Sequence, residues 1–138
     1  MEKTVGTEVA VGTRAHVEPA RQAYHILHWG FVAAPTIAGI DKFTHLLTNW
    51  DQYLAPSVEK MLPMSGHAFM LLVGVVEIIA GLIVLAGLTR IGGYIVMIWL
   101  IAIAINLVTT GMFYDLAVRD IEISLAAFTL TRLERNPA

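Results

Sequence analysis

Cysteine is absent from the 138 residues. Its absence excludes a disulfide within the chain, a thiolate metal site, an iron–sulfur cluster and direct thiol chemistry. The sequence also has no cluster of lysine and arginine, and its formal net charge is −2 at pH 7. It therefore lacks the basic patch that nucleic-acid binding requires. Walker, GxGxxG and HExxH motifs are missing as well, so we expect no autonomous hydrolase or kinase, no catalytic residue and no metal site.

Charged residues are scarce. They make up 14% of the chain, against 57% hydrophobic residues, and the mean hydropathy is +0.68. A soluble domain usually carries about 25% charged residues, so too few are present to cover a surface that faces water on all sides. The length fits one domain. We therefore expect a single all-α membrane domain in contact with the lipid bilayer.

Four segments are candidates for membrane-spanning helices, each of which needs roughly 20 mostly apolar residues. They cover about residues 22-43, 67-88, 91-112 and 113-131. The fourth is weaker than the others because it contains several charges. The sequence thus predicts a four-transmembrane-helix bundle over residues 21-133. Residues 1-20 are expected to form a flexible cytoplasmic N-terminal tail, and residues 134-138 a cytoplasmic C-terminal tail.

The distribution of lysine and arginine favours one orientation in the membrane. With both termini inside, six basic residues are cytoplasmic and three are outside; the inner ones are Lys3, Arg14, Arg21, Arg90, Arg132 and Arg135, and the outer ones are Lys42, Lys60 and Arg119. We therefore expect an N-in, C-in protein of a bacterial or archaeal cytoplasmic membrane.

The segment between the first two spans has apolar residues at helical spacing from Trp50 to Leu62. This pattern predicts a short amphipathic helix at the outer interface, with Trp50 and Tyr53 at the level of the headgroups. An ordered loop that packs over the bundle is the alternative.

Charges inside the apolar segments are the most informative residues. Glu77 lies about 11 residues into the second span and Glu122 about 8 residues into the fourth, which is roughly 16 and 12 Å at 1.5 Å per residue. Lys42 ends the first span. Because a charge near the bilayer centre is costly, such residues normally face the bundle interior and a partner. We expect Glu77 to be protonated or paired with Lys42 or Arg119.

The fourth span carries its own charged stripe. Asp115, Arg119 and Glu122 follow one another at i, i+4 and i+7, on one face of a helix. This spacing predicts that Arg119 lies between the two carboxylates. Asp120 points about 100° away, and Lys42 is its expected partner.

Two interpretations of these charges remain open. They either hold the helices in register, or they line a polar cavity that binds a small headgroup such as a quinone or relays protons. The candidate residues for such a site are Lys42, Glu77, Arg119, Asp120 and Glu122. His28 is a weaker candidate as a donor to a quinone carbonyl, and its alternative role is that of a neutral histidine hydrogen-bonded within the bundle.

Three stretches carry a resemblance to a known family. They are Gly30-Phe31 through Ala38–Phe43 (AGIDKF), Gly74–Leu82 (GVVEIIAGL) with Leu85–Arg90 (LAGLTR), and Tyr114–Leu116 (YDL). In their order and spacing, over roughly residues 22 to 133, they resemble the DoxX-like (DoxX/DoxD) integral membrane proteins. The resemblance implies a four-helix bundle with Lys42 and Glu77 at its polar positions. A thiol-based role of relatives that depends on cysteine does not carry over to this chain.

The resemblance leaves several functions open. We expect a non-catalytic accessory or structural subunit of a membrane complex, in contact with other membrane subunits or with further copies of itself. The alternative is a quinone-linked redox subunit that resembles the membrane part of thiosulfate:quinone oxidoreductase. A small-solute transporter is less well supported, because 138 residues show neither the broken helices nor the inverted repeats of such proteins.

Overall fold

The described part of the chain is built from helices and contains no strand. The computed structural model describes residues 2–134, with side chains from Glu18 onward. Its α-helices are α1 (Glu2–Thr44), α2 (Pro56–Glu59), α3 (Gly66–Leu85), α4 (Thr89–Thr109) and α5 (Tyr114–Glu134), and a 3₁₀ helix covers Trp50–Tyr53. The expectation of an all-α protein is confirmed.

The four long helices form a bundle. Helix α1 packs mainly against α3, and α4 mainly against α5, while α3 with α4 and α1 with α5 close the ring. The largest core cluster lies between them and consists of Phe31, Ala80, Val84, Val96, Ala127 and Leu130. We call the side on which α1 ends and α3 begins the loop end, because the 3₁₀ helix and α2 lie there.

Short connections make the last three helices antiparallel neighbours. Ser65 caps α3 by accepting a hydrogen bond from the Ala68 amide at 3.2 Å. Gly87 has φ +85° in the turn from α3 to α4, and Gly111 has φ +71° in the turn from α4 to α5. Glycine adopts this left-handed conformation without the steric cost that a side chain would add, so both reversals are completed within a few residues.

Helices α1 and α3 cross at a pair of glycines. A Cβ atom added to Gly74 would lie 2.8 Å from the Gly39 carbonyl oxygen and 3.1 Å from the Lys42 Cβ. The two backbones approach this closely because neither glycine has a side chain at the contact. The crossing brings the end of α1 against the middle of α3.

Helices α3 and α4 are long and apolar enough to cross a membrane. Only 39% of the apolar window of α3 and 28% of that of α4 are buried inside the bundle. Their outward side chains include Leu72, Ile79, Leu82, Ile98 and Ile105. A core helix of a soluble protein would bury most of such a surface, so this pattern is the membrane-like feature of the fold. The two helices match the second and third expected spans.

The expected amphipathic helix between the first two spans is replaced by two four-residue helices. Leu54 and Ala55 lie between them and are 7% and 0% exposed. The Asn106 side chain of α4 accepts from the Ala55 amide at 3.0 Å and donates to the Tyr53 carbonyl at 2.6 Å. An apolar cluster of Leu54, Met70 and Val73 completes the contact, so the segment is an ordered loop packed over the bundle, as in the alternative interpretation.

The terminal segments are only partly covered. Helix α1 begins at Glu2 and so runs through the segment assigned to the N-terminal tail. The flexibility and the location of that segment stay predictions. Of the expected C-terminal tail, Glu134 ends α5 and residues 135–138 lie outside the described residues.

Candidate functional site: a buried lysine–glutamate pair

Lys42 and Glu77 form an ion pair inside the bundle. The Lys42 Nζ lies 2.6 Å from the Glu77 Oε2, and the two side chains are 3% and 10% exposed. Glu77 lies 11 residues after the start of α3, which is about 16 Å along the helix. Of the three states expected for Glu77, pairing with Lys42 is the one observed.

Trp50 covers this pair from the loop end. Its ring centroid lies 3.8 Å from the Lys42 Nζ, within the range of a cation–π contact. Lys42 therefore meets a carboxylate on one side and an aromatic face on another. The Trp50 indole is turned inward onto the charged residues, and its expected position at headgroup level stays a prediction.

Asp41 holds Trp50 in this position. Its carboxylate accepts a hydrogen bond from the Trp50 Nε1 at 2.8 Å and others from the Leu46 and Leu47 amides at 2.9 and 3.1 Å. The Thr44 hydroxyl donates to the same group at 3.0 Å. Asp41 thus folds the chain after α1 back over Lys42. In the sequence it marks only the end of a span, and nothing local to it predicts this role.

Asp120 and Arg119 pair differently from the expectation. Asp120 is 4% exposed, and it accepts from the Arg119 Nη2 at 3.0 Å and Nε at 3.2 Å. The expected Asp120–Lys42 pair is not formed, because Lys42 is taken by Glu77. Within the described side chains, the expected position of Arg119 between Asp115 and Glu122 is not formed either. The buried carboxylate of Asp120 needs a partner, and the long guanidinium side chain reaches around the helix to supply one.

Trp99 of α4 lies beside the Glu77 carboxylate, and Asp120 is also near it. The Trp99 Nε1 is buried and has no hydrogen-bond partner in the described part of the chain. Trp99 was not among the residues expected at the site. A tryptophan in the middle of an apolar span was its only signal, and that signal equally suits a lipid-facing side chain.

Glu122 lies outside the cluster, which corrects its place among the candidate residues. It is exposed, whereas Asp120, two residues earlier, is buried. Two residues correspond to about 200° around an α-helix, so burial of one side chain turns the other outward.

His28 belongs to a separate polar contact. Its Nδ1 lies 3.1 Å from the Thr89 Oγ1, and the Tyr24 hydroxyl lies 3.2 Å from the same oxygen. Lys42 lies 14 positions further along α1, which is about 21 Å. The role of a histidine hydrogen-bonded within the bundle therefore describes His28. In the part of the chain that the structure describes, no three histidine, aspartate or glutamate side chains are grouped as metal ligands.

The Lys42–Glu77 pair is enclosed by side chains. An open cavity of about 570 Å³ lies at the other end of the bundle, lined by Gly87, Leu88, Arg90, Ile91, Tyr94 and Glu134, and so it does not lead to the pair. Chemically, the pair joins α1 to α3 through two charges that satisfy each other. No family model, curated protein or solved structure matches this chain, and the resemblance to the DoxX-like proteins stays a prediction.

Proposed function

We propose that the chain is a four-span membrane protein that acts as a non-catalytic accessory subunit of a larger membrane complex. The observation that carries this proposal is the enclosed Lys42–Glu77 pair. A site that binds a headgroup or relays protons needs an opening and a group free to react. Here the lysine and the glutamate satisfy each other under Trp50, and their effect is to fix two helices in register.

The membrane placement rests on the surface of the bundle. Helices α3 and α4 expose isoleucine, leucine and valine along their length, and lipid is the solvent in which such a surface is stable. In this proposal the long helices α1 and α5 complete the bundle as the first and fourth spans.

The orientation is proposed as N-in, C-in. The end of the bundle opposite the loops carries Arg21, Arg90 and Arg132, and basic residues accumulate on the cytoplasmic side of membrane proteins. The loop end would then face outward.

Cysteine labelling tests the placement directly, because the chain has no cysteine of its own. Lys60→Cys marks the loop end, Ala86→Cys the opposite end, and Ile98→Cys an outward position of α4. In intact cells, a membrane-impermeant maleimide should label only Lys60→Cys, and Ala86→Cys should react after permeabilisation. Equal labelling of Ile98→Cys and Lys60→Cys would contradict a membrane-embedded bundle.

Native mass spectrometry of the protein, extracted gently from its own membrane, tests the role. A stable complex with other membrane subunits and without a bound quinone would support the accessory subunit. A quinone mass retained on this chain would instead support the quinone-linked subunit. A bare monomer would contradict both and leave the transporter as the remaining hypothesis.

A further inference from the structure

The outer face of α5 carries a polar stripe. Asp115, Val118, Glu122, Leu125, Thr129 and Arg132 are all exposed. They follow one another at alternating steps of three and four residues, which is the spacing of a seam along which a second helix packs at a small crossing angle. We call these six residues the α5 seam.

The other helices show what a lipid-facing surface looks like in this protein. The outward residues of α4 include Ile91, Ile95, Ile98, Ile101 and Ile105. In the α5 seam, by contrast, only Val118 and Leu125, which are 59% and 63% exposed, are apolar. Both helices have 21 residues, and α5 also exposes Ile121 and Phe128 beside the seam. The two outer faces therefore differ in the polar and charged residues that α5 places among its apolar ones.

Among the residues of the α5 seam, Glu122 gives the main indication of a binding partner. It lies eight residues after the start of α5, about 12 Å along the helix, between the exposed Val118 and Leu125. A glutamate at that depth and facing hydrocarbon is costly, and such residues are normally paired. Its neighbour Arg119 is already bonded to Asp120. Among the side chains that the structure describes, none forms an ion pair with Glu122, so its cation is expected to come from outside this bundle.

A second copy of the chain fits this requirement poorly. Two copies in one membrane have the same orientation, so a two-fold axis between their α5 helices places each seam residue opposite itself. Asp115, Glu122 and Arg132 would then each meet a like charge. Residues 66–89 and 91–118 contain no lysine or arginine, so the outer faces of α3 and α4 offer no cation at the depth of Glu122 either.

We propose that the α5 seam binds a transmembrane helix of a different protein, which places a lysine or arginine opposite Glu122. The proposal rests on the membrane placement proposed above and names the chemistry of the partner that an accessory subunit would have. The ion pair removes the free-energy cost of leaving the Glu122 carboxylate unpaired in the membrane. Val118 and Leu125 pack against apolar residues of the same partner helix.

A designed transmembrane peptide of leucine and alanine with one central arginine serves as the probe, and a matched peptide has leucine at that position. The full-length protein and the peptide are reconstituted in vesicles, and association is measured by energy transfer between labels. Because the arginine is central, either orientation of the peptide brings it near Glu122. The wild-type protein should bind the arginine peptide about tenfold more tightly than the leucine peptide, in line with polar contacts between membrane helices.

Two substitutions of the protein make the test specific. Glu122→Gln should abolish the preference for arginine, whereas Glu18→Gln removes one exposed carboxylate far from the seam and should keep it. Glu122→Lys should reverse the preference, so that a peptide with a central glutamate binds better than one with arginine. Equal binding of the arginine and leucine peptides to the wild-type protein, or an unchanged preference in Glu122→Gln, would overturn the proposal.

The remaining outcomes separate this proposal from the one on which it rests. Glu122→Cys that forms a disulfide between two copies would assign the seam to self-association and overturn the proposal. Labelling of Glu122→Cys by an impermeant maleimide as strongly as Lys60→Cys would place α5 in water, and then the membrane placement itself fails. A membrane-embedded α5 without arginine preference overturns only the inference about the partner.

Discussion

The energetic role of the buried pair can be measured by removing one partner at a time. Lys42→Met keeps most of the side-chain volume and deletes the ammonium group, and Glu77→Leu does the same for the carboxylate. The first change leaves a carboxylate that is 10% exposed without its partner at 2.6 Å. The second leaves an ammonium group whose remaining contact is the Trp50 ring at 3.8 Å.

The size of the effect follows from the burial of both groups. Breaking a buried ion pair by removing one partner costs about 3–5 kcal/mol of stability, since a charge stays behind without compensation. We expect each single substitution to lower the free energy of unfolding by about that amount. Replacing both partners by apolar residues leaves no isolated charge, and such replacements are often neutral or stabilising. The double variant should therefore lie within about 1 kcal/mol of the wild type.

Unfolding in mixed detergent micelles, followed by circular dichroism and tryptophan fluorescence, gives these free energies. Trp50 and Trp99 lie next to the pair, so fluorescence reports on this region. Lys60→Met removes an exposed lysine from the loop and serves as the control, with an expected change within about 0.5 kcal/mol. Additive effects in the double variant, or single variants as stable as the control, would refute the structural role of the pair.

Three further predictions concern the contacts around it. Gly74→Ala should lower the free energy of unfolding by about 1–3 kcal/mol, because the added Cβ would lie 2.8 Å from the α1 backbone and overpacking has this cost. Gly30→Ala is the matched control in the same unfolding assay. Its added Cβ meets nothing within 4 Å, so it should not destabilise the protein. Asn106→Ala should cost about 1–3 kcal/mol and speed proteolysis of the loop, since the amide of the buried Ala55 and the carbonyl of the half-buried Tyr53 lose their partner. Asp41→Asn should make Trp50 more accessible to acrylamide, because the charge-assisted hydrogen bond to its indole is weakened; unchanged quenching would show that Trp50 is held by other contacts.

The sequence indicated which charged residues lie in apolar surroundings more accurately than it predicted their ion-pair partners. Lys42 and Glu77 stand out because they are charges in apolar surroundings, and their pairing was one of the expected alternatives. The pairing of Arg119 with Asp120 was missed because spacing on one helix describes where side chains start. It does not describe how far a long side chain bends to reach a buried group.

The loop between α1 and α3 shows a second limit. Helical spacing of Trp50, Tyr53 and Leu54 indicated an amphipathic helix, but such a pattern fits any surface that covers apolar residues. The deciding contacts come from Asn106 and Asp41. Asn106 is distant in sequence, and Asp41 acts through a chain reversal that no local pattern predicts.

The sequence alone determined that this protein is helical and largely apolar, and it located α3, α4 and α5, because hydrophobicity acts locally along the chain. It did not predict that α1 extends back to Glu2 through Pro19. Only the tertiary structure decided which face of each helix is covered. Asp120 became a buried partner and Glu122 an exposed one when α5 packed against α4 and α1. Which side of a helix is buried depends on its neighbours, and they are set by the glycine contacts and short turns of the whole bundle.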